Sequence, residues 1–107
     1  MRRLGHKFKA KPVYDDGQHF PSTLEWSYYK HLKMLICAGE VIFFLRQVPF
    51  HLPGGVKYVV DYQIFNTDGS VRFVDVKGME TSEFKLKVKI VQNLYPVDIE
   101  IVKKGDF

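Results

Sequence analysis

The 107-residue chain has a single cysteine, a single tryptophan and no long apolar run. A lone thiol, Cys37, has no internal partner, so no disulfide framework holds this fold. Its apolar helical surroundings predict a buried filler, and no His or Asn pattern accompanies it as a nucleophile would require. No stretch approaches the roughly 20 apolar residues of a membrane span. The basic N-terminus is not followed by the apolar segment of a secretory signal. The histidines, His6, His19, His31 and His51, lack metal-ligand spacing and read as surface or turn residues. These absences predict a reducing, cytoplasmic setting. There is no internal repeat, linker or low-complexity segment, and 46% hydrophobic residues are ordinary for one globular domain.

What is present is unevenly placed. The net charge is +4, and residues 1–11 hold Arg2, Arg3, Lys7, Lys9 and Lys11 with no acid. Over the rest of the chain the basic and acidic residues nearly cancel. A basic arm of this kind attracts polyanions such as nucleic acid; a solubilising terminus has the same composition. The chain divides into this arm, 1–11, and a domain, 12–107.

Local signals give the element order. Pro12 to Phe20 reads as a short hairpin turning at Asp16-Gly17. Ser22 opens a helix through a capping box, Ser22-x-x-Glu25. Leu24, Tyr28, Leu32, Leu35 and Ile36 follow at helical spacing, and Gly39 ends it. Val41–Leu52 reads as a strand, with Pro49 marking an edge or bulge. Pro53-Gly54-Gly55 turns the chain into Lys57–Phe65, and Asn66–Ser70 turns it again into Val71–Lys77. A second helix runs from Thr81 or Ser82 to about Tyr95, with Phe84, Val88, Val91 and Tyr95 on one face and Lys85, Lys89 and Gln92 on another. Pro96 stops it, and Val97–Val102 alternates as a last strand. The expected architecture is α/β or α+β: a mixed sheet flanked by helices in the order αβββαβ.

The most informative residues are Asp61, Asp75 and Lys77. A tight turn carrying Asp68-Gly69 and centred on Asp68 places Phe65 opposite Val71, Gln63 opposite Phe73, and Asp61 opposite Asp75. Lys77, two residues beyond Asp75, points to the same face. Two carboxylates at roughly 5 Å and an effective dielectric near 20 repel by about 3 kcal/mol. A domain stable by about 5–15 kcal/mol does not gain from such a pair. A divalent cation between the carboxylates reverses the sign. The alternative is a solvent-facing hairpin whose charges never meet. Glu25, in the first turn of helix one, is either a helix cap or a third acid of the same site. Gln47 reads as an ordinary polar strand residue, though its strand can reach the same edge.

A helix-borne acid, an Asp on the second strand and Asp75-Val76-Lys77 on the third resemble the PD-(D/E)XK nuclease superfamily, whose fold is the restriction-endonuclease-like αβββαβ core. The Pro that usually precedes the first Asp is replaced by Val60. The stretches Asp16–Glu25, Gln47–Phe50, Tyr58–Tyr62, Val74–Gly78 and Glu83–Lys87 are similar to small phage-type Holliday-junction resolvases. The resemblance implies Mg²⁺- or Mn²⁺-dependent hydrolysis of DNA phosphodiesters. It makes Asp61 and Asp75 metal ligands, Glu25 the helix-borne acid and Lys77 the active-site lysine; the oxygen preference of Mg²⁺ adds the Val76 carbonyl as a ligand, with Glu25 binding a second metal or orienting water. It also implies a homodimer and a phage-encoded protein acting in the host cytoplasm.

Lys85, Lys89 and the arm are the expected phosphate contacts, giving salt-sensitive, sequence-independent affinity. No base-reading module is visible. The expected function is a structure-selective endonuclease acting on branched DNA. A nicking or end-processing nuclease and a catalytically silent DNA-binding module of the same fold are the alternatives.

Overall fold

A computed structural model describes residues 11–107. Arg2, Arg3, Lys7 and Lys9 of the arm lie outside the described residues; Lys11, the first of them, is exposed. A two-stranded hairpin, β1 (Val13–Asp15) and β2 (Gln18–Phe20), precedes helix α1 (Thr23–Cys37). Then come β3 (Val41–His51), a 3₁₀ turn (Pro53–Gly55), β4 (Lys57–Asn66), β5 (Val71–Val76), helix α2 (Ser82–Leu94) and β6 (Ile99–Val102). The four later strands form one sheet in the order β3-β4-β5-β6, the last pair parallel and the others antiparallel. The domain is thus a small mixed α+β fold with the expected element order.

The helix ends follow from their side chains. Ser22 Oγ accepts the Glu25 amide at 3.1 Å. At the other end the Gly39 amide donates to Ile36 and the Glu40 amide to Leu35. This paired closure needs a left-handed residue, and Gly39 supplies it with φ 80°. Ala38, one residue earlier than expected, is the cap itself. Cys37 corrects another expectation: it is exposed, because the last turn of α1 carries it away from the sheet.

The register of β4 against β5 is the expected one, with Phe65 opposite Val71 and Gln63 opposite Phe73. Asp68 fixes that turn by accepting the Ser70 amide at 2.9 Å. β3 is an edge strand, which accommodates Pro49, and its irregularity falls between Val41 and Phe43 instead. β6 begins two residues later than the alternation suggested, because Gln92 Oε1 rather than a strand partner accepts the Ile99 amide.

Two cores divide the sheet. Tyr28, Tyr29 and Leu32 of α1 pack with Tyr62, Ile64, Val74, Val76 and Val102. Phe84 and Val91 of α2 pack with Tyr58, Val60 and Ile99. Alternate residues of β4, all of one parity, therefore serve the α2 core up to Val60 and the α1 core from Tyr62 on. Asp61 sits at the changeover.

Leu32 is fully buried in the first core. Leu32→Ala is expected to lower the unfolding free energy by about 2–5 kcal/mol. Met34→Ala, on the exposed side of the same helix, should change it by no more than about 0.5 kcal/mol. Urea titrations of the two variants measure both.

Candidate active site at a strand fork

The β4–β5 ladder reaches Tyr62 opposite Val74, and beyond it the strands exchange side-chain bonds instead of ladder bonds. The Asp61 amide donates to Asp75 Oδ1 at 2.9 Å. The Val76 amide donates to Asp61 Oδ2, also at 2.9 Å. Each carboxylate thus replaces a lost main-chain acceptor on the opposite strand. Charge-assisted bonds of this kind are stronger than neutral ones, so the expected repulsion between the two aspartates is opposed by two donors. One oxygen is left over: Asp75 Oδ2 is buried and has no hydrogen-bond partner.

Lys77 follows on the same side of the chain as Asp75. Its ammonium lies 4.6 Å from the centre of the Phe84 ring, a cation–π contact that steadies it beside α2. Its charge acts on both aspartates.

Glu25 completes the group from α1. It is only 3% exposed, and Tyr62 holds its main chain by donating its hydroxyl to the Glu25 carbonyl at 2.8 Å. The capping box is half formed. Ser22 caps the helix, but the Glu25 carboxylate turns inward, because Arg46 Nη2 and Gln47 Nε2 donate to its Oε2 at 3.0 and 3.1 Å. Oε1 has no donor among the described residues. Gln47 Nε2 also reaches Asp61 Oδ1 at 3.5 Å, so one amide spans two of the three acids.

Neighbours along a strand normally point to opposite faces, yet Arg46 and Gln47 both reach one oxygen of Glu25. The backbone resolves this by placing Gln47 in the left-handed region, φ 55°, a conformation that costs a non-glycine residue of order 1 kcal/mol or more. The strain lies at the candidate site and nowhere else in the described part of the sheet. Arg46 is tied further: Nη1 donates to Gln18 Oε1 at 2.9 Å, Nη2 to the His19 carbonyl at 3.2 Å, and the guanidinium lies 3.9 Å over the Phe20 ring.

Burial is the main cause of every carboxyl shift here. It raises Glu25, helped by the negative charge of Asp61 and opposed by Arg46. It raises Asp61, opposed by the Val76 amide and Lys77. It pushes Asp75 up to about 6, opposed by the Asp61 amide and Lys77.

The four residues expected to carry chemistry, Glu25, Asp61, Asp75 and Lys77, therefore come together. Arg46 was not expected, and Gln47 has a larger part than an ordinary strand residue. Their signal, a polar Arg-Gln pair inside an otherwise apolar edge strand, was available in the sequence. Lys85 and Lys89 are exposed on α2, as expected. Tyr28 and Tyr29 belong to the core, and Trp26 is held by Asp15, its indole nitrogen donating at 2.9 Å. Among the described residues no group of three or more His, Cys, Asp or Glu side chains is arranged to hold a metal ion.

Residues 5–104 match a family described as "Protein of unknown function (DUF1064)". The chain belongs to that family. Searches of curated proteins and of solved structures found no match. The family description carries no activity, so the functional reading rests on the site itself.

A carboxyl that titrates higher when folded holds its proton more tightly in the folded chain. Its stabilising contribution is complete below the unfolded value, 3.8 for Asp75, and is lost as pH rises through about 6. With chelator present, stability should fall across that window by about 3 kcal/mol from Asp75 alone; Glu25 and Asp61 act in the same sense. Asp75→Asn should remove most of the decline. Urea unfolding at a series of pH values measures it, and a parent protein that gains stability over the window contradicts the assignment.

Proposed function

We propose that this family member is a divalent-metal-dependent DNA endonuclease with a restriction-endonuclease-like core, cutting branched DNA such as four-way junctions as a homodimer. The observation that carries the reading is the buried, unpartnered Oδ2 of Asp75, held beside Asp61 at the strand fork with Lys77 adjacent. A folded chain rarely leaves a buried carboxylate oxygen without a donor. The order of elements, with three antiparallel strands, a helix and a parallel fourth strand, supports the same reading.

The residues fit a hard cation. Mg²⁺ takes only one or two carboxylates, keeping waters and substrate phosphate as its other ligands. Asp75 Oδ2 and Asp61 would hold it, with the Val76 carbonyl and Glu25 Oε1 in reserve. Bound Mg²⁺ or Mn²⁺ would polarise the scissile phosphate and acidify a water.

The remaining work falls to the protein's own groups. Lys77 offsets the charge that builds on the phosphoryl oxygens and orients the attacking water. Gln47 fixes the relative positions of Glu25 and Asp61, and Arg46 opposes the rise that burial imposes on the Glu25 carboxyl. Lys85, Lys89 and the basic arm add non-specific affinity for the DNA strands. The preference for junctions and the dimer come from the likeness to phage resolvases, not from the fork.

Digestion of four-way junctions and matching linear duplexes in Mg²⁺ tests the reading. The parent should cut the junction, and Lys77→Ala should cut it about 10²-fold or more slowly. A Lys77→Ala variant as active as the parent removes the mechanism. Equal rates on junction and duplex remove the structure selectivity and leave a nicking or end-processing nuclease.

A further inference from the structure

We infer that a second phosphate site adjoins the proposed cutting centre, in a cavity of about 250 Å³ lined by Lys57, Lys77, Lys87, Tyr58 and the first turn of α2; the inference rests on the nuclease reading. Its occupant is a second phosphate of the strand being cut, distinct from the scissile one.

The chemistry of the walls selects an oxyanion. Three ammonium groups face a single acid, Glu83, which is largely exposed and reaches Lys87 at 3.4 Å. Neither Lys57 nor Lys77 has an ion-pair partner among the described residues. The start of α2 adds main-chain donors. Thr81 Oγ1 accepts the Phe84 amide at 3.1 Å, while the Ser82 and Glu83 amides find no acceptor among the described residues. Such free amides, aligned with the helix dipole, favour negative charge.

Tyr58 supplies an observation independent of the helix end. It is 5% exposed, and its hydroxyl is buried with no hydrogen-bond partner. A buried hydroxyl without a partner is uncommon in a finished core. An oxyanion in the cavity provides an acceptor for a group that the protein alone leaves unsatisfied.

The position relates this site to the cut. Lys77 belongs to both, two residues from Asp75 and therefore about 7 Å along an extended chain. Lys57 lies four residues before Asp61 on β4, about 13 Å away by the same rise. These spans correspond to a few nucleotides of one strand. The site would hold the strand on one side of the scissile bond, giving cleavage a fixed reach. Lys57 and Lys87 become binding residues that the sequence did not single out.

Two measurements on the full chain test this. In the first, inorganic phosphate is titrated while the Ser82 and Glu83 amides are followed by NMR. Both should shift saturably in the parent. A Lys57→Ala/Lys87→Ala variant should bind about tenfold more weakly, and Lys30→Ala/Lys104→Ala, which removes the same charge from exposed positions outside the cavity, should match the parent. No saturable shift, or equal weakening in the two variants, overturns the site.

In the second, cleavage of DNA bearing single methylphosphonates maps the strand phosphate relative to the cut. An internal position at which neutralisation slows the parent, but not Lys57→Ala/Lys87→Ala, identifies a phosphodiester. Dependence on a terminal phosphate alone identifies a strand end. A parent that cuts DNA but fails the phosphate titration loses only the second site. A parent that passes the titration but never cuts loses the nuclease reading.

Discussion

The exchange of carboxylate and amide between Asp61 and Asp75 is the constraint on which this domain turns. An antiparallel pair that separates leaves main-chain donors without acceptors, and buried donors of that kind are costly. Here the two aspartates accept the amides of Asp61 and Val76 at the point of separation. The same contacts draw both acids into the fork, and β4 changes core partner there. Structure and chemistry are supported by the same atoms.

Around that fork the electrostatics is deliberately unfinished. Three acids share a buried space with Arg46 and Lys77, and burial raises all three carboxyls. Hydrogen bonds satisfy one oxygen of Asp75 and leave the other bare. A wholly structural cluster would gain from closing that gap with another donor. Its persistence is the physical ground for the proposal that the cluster takes a ligand.

Much of this was legible in the residues. The Asp68-Gly69 turn determined the register of β4 and β5 as far as Tyr62 and Val74, and that register carried Asp61 and Asp75 to the fork, where side-chain bonds and not a ladder pair join them. Helix limits followed from Ser22 and Gly39, because caps act within a few residues. What could not be read was long-range. Glu25 looks like an ordinary capping-box acid until β3 brings Arg46 and Gln47 to it, more than 20 residues away in sequence. The left-handed backbone at Gln47 has no local cause, so no local signal announces it. Cys37 misled for the opposite reason: its neighbours are apolar, but the helix turns its own side chain outward.

Arg46 joins parts of the molecule that the chain order keeps separate. One guanidinium binds the β1–β2 hairpin through Gln18 and His19 and neutralises the acid on α1. The hairpin and Glu25 are consequently energetically inseparable. Changes in the two regions will combine non-additively, and the short N-terminal ribbon counts as part of the acid's immediate environment despite carrying none of the reactive groups.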